Sequence, residues 1–420
     1  MMASAIMRVI LLSLFIGCCD ALKNGAGLTP PMGWSTWCTS GACGNDFCDE
    51  SMVLEAAHAL ISTGMFDLGW NWIVLDDCWA AGHRNVTSNE LQWDINRFPN
   101  GIPALINSLH ALGLFFGLYT SAGNTTCSSG GRPYSIPGSE GNYQLDMDTF
   151  ASWNVDYVKV DWCGDVKNEY AKGNKLYKDI SYAANYTTPA RTIYLNGVGA
   201  YPFLMTEVGV YMNSWRAWSD HHDEWSTTWA QIAAMQIVGH LGEPGAWPDM
   251  DVLTTGGEGC KDQPNTTLHC PGQTNNEYLT EISLWTLNQS PLLVATDIRN
   301  MTSIMNIGLL NANISRIHQD TRTPPGRHIG YWPCTKDLTC SLWARHMIDG
   351  SVIVGLLNSG AKEETIQIDF STIGWQNDTA VNVYNIWQSS PVGVFTNNYS
   401  TRVATHATVL LELRINKARR

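Results

Sequence analysis

The sequence predicts an α/β protein, a (β/α)8 TIM barrel over residues 22–322 followed by a small antiparallel β-sandwich over residues 323–420. Three observations predict it. From residue 32 to about residue 297, short apolar runs ending in polar residues alternate with amphipathic helical segments, as repeated βα units do. The runs number eight, enough to close a barrel. Near Pro324–Pro325 the texture turns to strand-like stretches with no helical segment between them.

Residues 1–21 precede the fold. Arg8, an apolar stretch and small residues up to Ala21 have the three-part layout of a signal peptide. The expected barrel strands are Met32–Trp37, Asn71–Asp77, Leu114–Thr120, Tyr157–Cys163, Arg191–Gly197, Ser214–Asp220, a poorly marked one near His240–Asp251, and Leu292–Asp297. Helices are expected at Ser51–Ser62, Ile102–Leu112, Asn168–Ile180, Trp225–Ile237 and Asn275–Leu287, each with apolar residues at three- and four-residue spacing. An open doubly wound sheet would give a similar pattern, but no Gly-rich phosphate loop follows the first strand. The sandwich strands are expected at Ser341–Met347, Ser351–Leu357, Thr365–Phe370, Ala380–Trp387 and Thr408–Ile415.

Composition narrows the function. Charged residues are sparse at 15%, and the formal charge of −13 argues against nucleic acid or an anionic membrane as partner, since both need a basic face. After the N-terminus no run has the apolar length of a membrane span. Twelve cysteines on a secretory route imply disulfides, ten remaining after loss of Cys18 and Cys19. Cys260 with Cys270 and Cys334 with Cys340 are expected pairs, while Cys38, Cys43, Cys48 and Cys78 share two bridges of open pairing. Sequons at Asn85, Asn124, Asn185, Asn265, Asn288, Asn300, Asn313, Asn377 and Asn398 would carry glycans on that route; Pro291 weakens the one at Asn288. A secreted, lysosomal or vacuolar location is expected, as a monomer or homodimer.

Catalytic groups of such a barrel sit where strands end. Asp76 and Asp77 close the second strand, Asp161 the fourth after Lys159, Asp220 the sixth after Arg216, and Asp249 and Asp251 follow the seventh. Splitting a glycosidic bond needs one carboxyl to stabilise an oxocarbenium-like centre and another to protonate the leaving oxygen. Lys159 shares a strand face with Asp161 and is expected to hold it ionised as nucleophile. Asp220, as acid/base, needs a less polar setting, which Trp215, Trp218 and Trp225 could supply. Asp223 and Glu224 read instead as capping or surface acids. Acids at successive strand ends, interleaved with Trp37, Trp79, Tyr119 and Tyr201, suit a sugar pocket. The adjacent His221 and His222 face opposite ways on an extended segment, so no metal and no cofactor is expected.

These positions resemble the α-galactosidase and α-N-acetylgalactosaminidase family of retaining enzymes, glycoside hydrolase family 27, from about Gly27 to the C-terminus. The motifs are Thr29-Pro-Pro-Met-Gly-Trp-Ser-Thr-Trp37, Leu75-Asp-Asp-Cys-Trp79, Gly117-Leu-Tyr119, Tyr157-Val-Lys-Val-Asp-Trp-Cys163, Ser214-Trp-Arg-Ala-Trp-Ser-Asp220 and Gly245-Ala-Trp-Pro-Asp-Met-Asp251. The resemblance implies Asp161 as nucleophile and Asp220 as acid/base. It also implies that Asp76 and Asp77 bind the 4- and 6-hydroxyls of galactose, with Lys159 and Arg216 completing the hydrogen bonds. Trp37 and Tyr119 would line the pocket, Asp251 would support it, and Cys127 would bridge to Cys163.

Departures bear on substrate. The usual Lys-Tyr-Asp-Asn or Lys-Phe-Asp run is Lys159-Val-Asp-Trp here, and the usual Trp-Asn-Asp-Pro-Asp is Trp247-Pro-Asp-Met-Asp251. After strand five, Gly197-Val-Gly-Ala-Tyr201 replaces the Glu-Trp-x-Leu-Tyr of galactose-specific members. Small residues at Gly197 and Ala200 would leave room for a 2-acetamido group, making an α-N-acetylgalactosaminidase the alternative to an α-galactosidase. A β-L-arabinopyranosidase is disfavoured because Asp76 and Asp77 are both present. An inactive galactose-binding protein is the reading from another class.

Overall fold

The structure is a computed structural model that describes residues 22–39, 48–127, 135–167, 169, 172–199, 208–257, 272–332 and 339–416. Eight parallel strands form the barrel: β1 (Met32–Ser35), β2 (Trp72–Val74), β5 (Phe115–Ser121), β6 (Tyr157–Asp161), β7 (Tyr194–Gly197), β8 (Ser214–Arg216), β9 (Trp247–Asp249) and β10 (Leu292–Val294). A hairpin of β3 (Ala80–Arg84) and β4 (Leu91–Trp93) projects beyond β2. The sheet runs β10-β1-β2-β5-β6-β7-β8-β9. Leu253, just past β9, closes the ring on β10 by donating its N–H to Leu293 at 2.8 Å and accepting the Ala295 N–H at 2.9 Å.

Each strand is covered on both faces, which is why Ile73, Val74, Val158, Val160 and Leu195 are all buried. The outward residues pack under helices, as in Asn275–Leu287, whose start is fixed by a capping box between Thr274 and Glu277. At Gly33 a Cβ would lie 2.1 Å from the Trp72 carbonyl, so only glycine lets β1 and β2 approach there. Ladder width varies round the ring. β5 and β6 pair along Gly117–Ser121 and Tyr157–Asp161, whereas β7 meets β8 only through Asn196 and Gly197.

The second domain is a sandwich. Strands β11 (Arg327–Trp332), β12 (Cys340–His346), β13 (Val352–Asn358), β15 (Ala380–Asn385), β16 (Ser390–Thr396) and β18 (Thr408–Ile415) form one sheet, and β14 (Glu364–Asp369) pairs with β17 (Asn398–Val403). Leu342, Val354, Leu356, Ile366, Ile368 and Leu411 fill the space between. The domains are fastened by the buried Arg345, whose guanidinium donates to the carbonyls of Ile317, Asp320 and Pro324. A buried guanidinium stays tolerable only with its donors met in this way.

Several expected boundaries move. The helix expected at Asn168–Ile180 runs Gly173–Asn185, and the strand expected through Asp220 ends at Arg216. Helices Tyr143–Ser152, Ser303–Leu309 and Ala312–His318 and strands β3, β4, β11, β16 and β17 were not expected. A short 3-10 turn, Phe370–Ile373, interrupts the sandwich strands where none was expected. Cys48 is bonded to Cys78 and Cys127 to Cys163, and Cys38 and Cys340 are disulfide-bonded as well. Cys43, Cys260, Cys270 and Cys334 lie outside the described residues, as do residues 1–21. Among the described residues no helix is long and apolar enough to cross a membrane.

Candidate active site

Inward-facing polar side chains stack toward the end of the barrel where the strands terminate. Tyr119, Lys159 and Asn196 lie in register on β5, β6 and β7, and Arg216 lies beside Asp249 on β8 and β9. A cavity of about 20 Å³ beneath them, room for about one water, is walled by Asp76, Lys159, Asn196, Arg216, Asp249 and Asp251.

Asp161 ends β6. Its Oδ2 accepts the Tyr119 hydroxyl at 2.8 Å and its Oδ1 accepts the Trp162 N–H at 2.7 Å. The Tyr119 oxygen in turn accepts the N–H of Cys127 at 3.4 Å, so the Cys127–Cys163 disulfide frames the carboxylate. Those two sulfurs and Asp161 form the only cluster of three metal-type ligands among the described residues, and bonded sulfurs offer no thiolate.

Lys159 is buried, and its Nζ lies 2.6 Å from Asp76 Oδ2 while facing the rings of Trp37 and Tyr119 at 5.2 and 5.3 Å. Burial acts to strip its proton, but Asp76, then Asp161 and Asp251, outweigh that and raise its pKa. Asp76 is anchored by its N–H on Thr36 Oγ1 at 2.9 Å, and its Oδ1 accepts the Asp77 N–H at 2.9 Å. Both acids are buried.

Arg216 joins the other half. One guanidinium nitrogen lies 3.0 Å from Asp220 and 2.8 Å from Asp251. Asp251 is over-determined: its carboxylate also accepts the His221 N–H at 2.8 Å, its N–H donates to Asp249 at 2.8 Å, and its carbonyl accepts the Trp285 indole at 2.8 Å. These bonds hold it at φ +71°, a left-handed conformation unusual for a residue with a side chain. Asn196 braces Asp249 at 2.7 Å and Ser214 at 2.7 Å.

The two carboxyls shift in the opposite directions to those expected. Burial raises the Asp161 carboxyl; Lys159 opposes this and the charge of Asp220 adds to it, with a net shift upward. The surrounding barrel mouth partly desolvates Asp220 and acts to raise it, but Arg216 and then Lys159 outweigh that, and the net shift is downward. The reason is geometric. Lys159 is committed to Asp76, and the Asp220 side chain is 57% exposed in an ion pair rather than wrapped in tryptophan. Trp215 is taken up by the core, and Trp225 stacks on His406.

Two further expectations change, and one falls on residues that the structure does not describe. Gly197 does not open the pocket: a Cβ there would meet Met212 at 3.1 Å and Tyr177 at 3.3 Å, so its bare side faces the helices while Asn196 faces inward. Ala200 and Tyr201 lie outside the described residues. Asp223 is buried, accepting from the Tyr278 hydroxyl at 2.8 Å, and is neither a surface acid nor a cap. Sequence reasoning passed over Thr36, Asn196 and His221 as parts of the site. The parity of Lys159 with Asn196 along neighbouring strands was the available signal for the second.

The wider likenesses follow the same layout. Residues 29–320 match the family described as Alpha galactosidase A, and residues 337–413 match the Alpha galactosidase C-terminal beta sandwich domain. The chain is 33% identical over 397 residues to an alpha-galactosidase of Cyamopsis tetragonoloba, covering 92% of this chain and 86% of that one. An alpha-galactosidase of Coffea arabica is 33% identical over 392 residues, covering 92% and 93%. The crystal structure of alpha-galactosidase I from Mortierella vinacea superposes with a TM-score of 0.76 at 25% identity, covering 94% and 98%. By sequence over both domains, and by the fold that carries them, the chain belongs to the alpha galactosidase A family.

Proposed function

We propose that the protein is a retaining exo-glycosidase that releases terminal non-reducing α-D-galactosyl residues, with Asp161 as nucleophile and Asp220 as acid/base. The observation that carries this reading is the pair of carboxyls at the same end of the barrel, one ending β6 and the other following β8 with only β7 between, each held by its own donors and each sensing its surroundings differently. The sugar's hydroxyls meet Asp76, Asp77 and Lys159, and its apolar face meets Trp37.

Asp161 attacks the anomeric carbon as Asp220 gives its proton to the leaving oxygen; Asp220 then draws a proton from the water that frees the sugar. Bound sugar covers Asp220, removes water from it and raises its pKa toward that of a proton donor. Hydroxyls donating to Asp161 act in the opposite direction and keep it charged. Asp161→Asn should abolish turnover of an aryl α-galactoside, and NMR of the first-formed galactose from the active enzyme should show the α-anomer. A first-formed β-anomer would refute the double displacement.

Galactose is favoured over N-acetylgalactosamine because the open side of Gly197 points away from the sugar. Equal hydrolysis of the two aryl glycosides would overturn that preference. Passage through a secretory route to the cell exterior, a lysosome or a vacuole is supported by the leader-like residues 1–21, the sequons and the disulfides.

A further inference from the structure

We propose that His406, which the sandwich domain contributes, is a positioning residue for Asp220; this rests on the acid/base role of Asp220 given above. His406 lies in the turn between β17 and β18 at φ +55°, a left-handed conformation that presents its ring to the barrel. The ring stacks on Trp225 with centroids 4.2 Å apart and planes 13° apart. Its Nδ1 lies 2.6 Å from Glu277 Oε1, and its carbonyl accepts the Thr280 hydroxyl at 2.8 Å. One side chain thus grips the first turns of two barrel helices, Trp225–Val238 and Asn275–Leu287.

Those same first turns hold the loop that follows Asp220. Thr228 Oγ1 is 2.8 Å from the His221 ring. Thr227 accepts the His222 N–H at 3.1 Å and donates to the His222 carbonyl at 2.9 Å. From the second helix, Tyr278, next to Glu277, donates to Asp223 at 2.8 Å. Among the described residues the exposed Asp220 carboxylate is tied to Arg216, so its place at the mouth follows that of the loop. Asp161 sits on β6, where no group of this brace reaches. Loosening His406 therefore misplaces the proton donor and leaves the nucleophile in register, and displacements of about 1 Å at a reacting group are enough to cost rate.

The signature is a dependence on leaving group. A departing dinitrophenolate needs no proton, whereas a departing alkoxide does. Full-length wild type, His406→Ala, His406→Gln, His406→Phe and Asp220→Asn are assayed on 2,4-dinitrophenyl α-galactoside and methyl α-galactoside. His406→Ala and the milder His406→Gln should lose roughly tenfold in kcat/KM on the methyl glycoside and less than about twofold on the dinitrophenyl one. His406→Phe, which keeps the stack on Trp225, should restore most of the loss. The ratio of the two rates on one sample is independent of how much of it is folded. An unchanged ratio in the Ala and Gln variants, or a Phe variant that restores nothing, overturns the proposal. If Asp220→Asn also leaves the ratio unchanged, the acid/base reading falls; if it changes the ratio and His406 variants do not, only the brace falls.

Discussion

Glu281→Gln should flatten the pH dependence of stability. Glu281 lies on the helix Asn275–Leu287, fully buried behind the acid/base loop. Its Oε1 accepts the Thr254 N–H at 2.6 Å and its Oε2 the Thr255 hydroxyl at 2.9 Å. Burial pushes the carboxyl up from 4.5 to about 8, against the pull of those bonds, and the charge of Asp223 adds to the rise. The facing His221 ring, 3.7 Å away, is pushed down to about 4 by its own burial and is neutral across this range.

An unfolded chain ionises Glu281 near 4.5, so between that pH and about 8 the folded state keeps a proton the unfolded state has released. Stability from this group is complete below 4.5 and is lost as pH rises through 8, at about 1.4 kcal/mol per unit and up to about 5 kcal/mol in all. Glutamine keeps the acceptor and removes the titration. Thermal midpoints of wild type and variant, scanned at one rate from pH 4.5 to 9, should lie close on the acid side and part on the alkaline side, with the wild type falling below the variant. Two curves with the same slope throughout that range would refute the reasoning.

Two other substitutions probe the surroundings of Asp161, the proposed nucleophile. Tyr119→Phe removes the hydroxyl donated to Asp161, which should lower kcat by roughly ten- to a hundredfold and move the acid limb of kcat/KM to higher pH, because that bond holds the carboxyl down. Stopped assays across pH on an aryl α-galactoside read both changes. Gly199→Ala places a Cβ 2.5 Å from that of Trp162 on a backbone at φ +76°, and should cost about 2 kcal/mol in urea unfolding.

How much of this could be read from the chain varied with the element. The runs Tyr157–Asp161 and Phe115–Ser121 belong to long, doubly buried strands and carry their signal in consecutive apolar residues. The helix Asn275–Leu287 was legible to the residue from its apolar three- and four-residue spacing, and the structure adds a capping box between Thr274 and Glu277 at its start. Tyr143–Ser152 was not, because its Asp146 is a buried acid whose partner, Arg84, lies far away in sequence. In β11 the alternation is broken by an irregularity between His328 and Gly330. At the site, strand ends revealed which residues converge. The choice of Lys159 for Asp76, and of Arg216 for Asp251 as well as its near neighbour Asp220, is made largely across long stretches of chain and sets the direction of each shift.

The uneven width of the barrel's ladders gives the pocket two mechanical halves. Asp161 is mounted where β5 and β6 are zipped along their full overlap, so the carboxyl proposed as nucleophile has little freedom to drift. Arg216 and Asp249 are mounted on three-residue strands, one of them joined to its neighbour at two positions, close to a seam where Leu253 supplies the ladder bonds. Compliance is therefore concentrated beside Asp220, the carboxyl proposed to hand over a proton and take one back. Amide exchange should be fastest along that arc of the wall, with the opposite arc acting as the anvil.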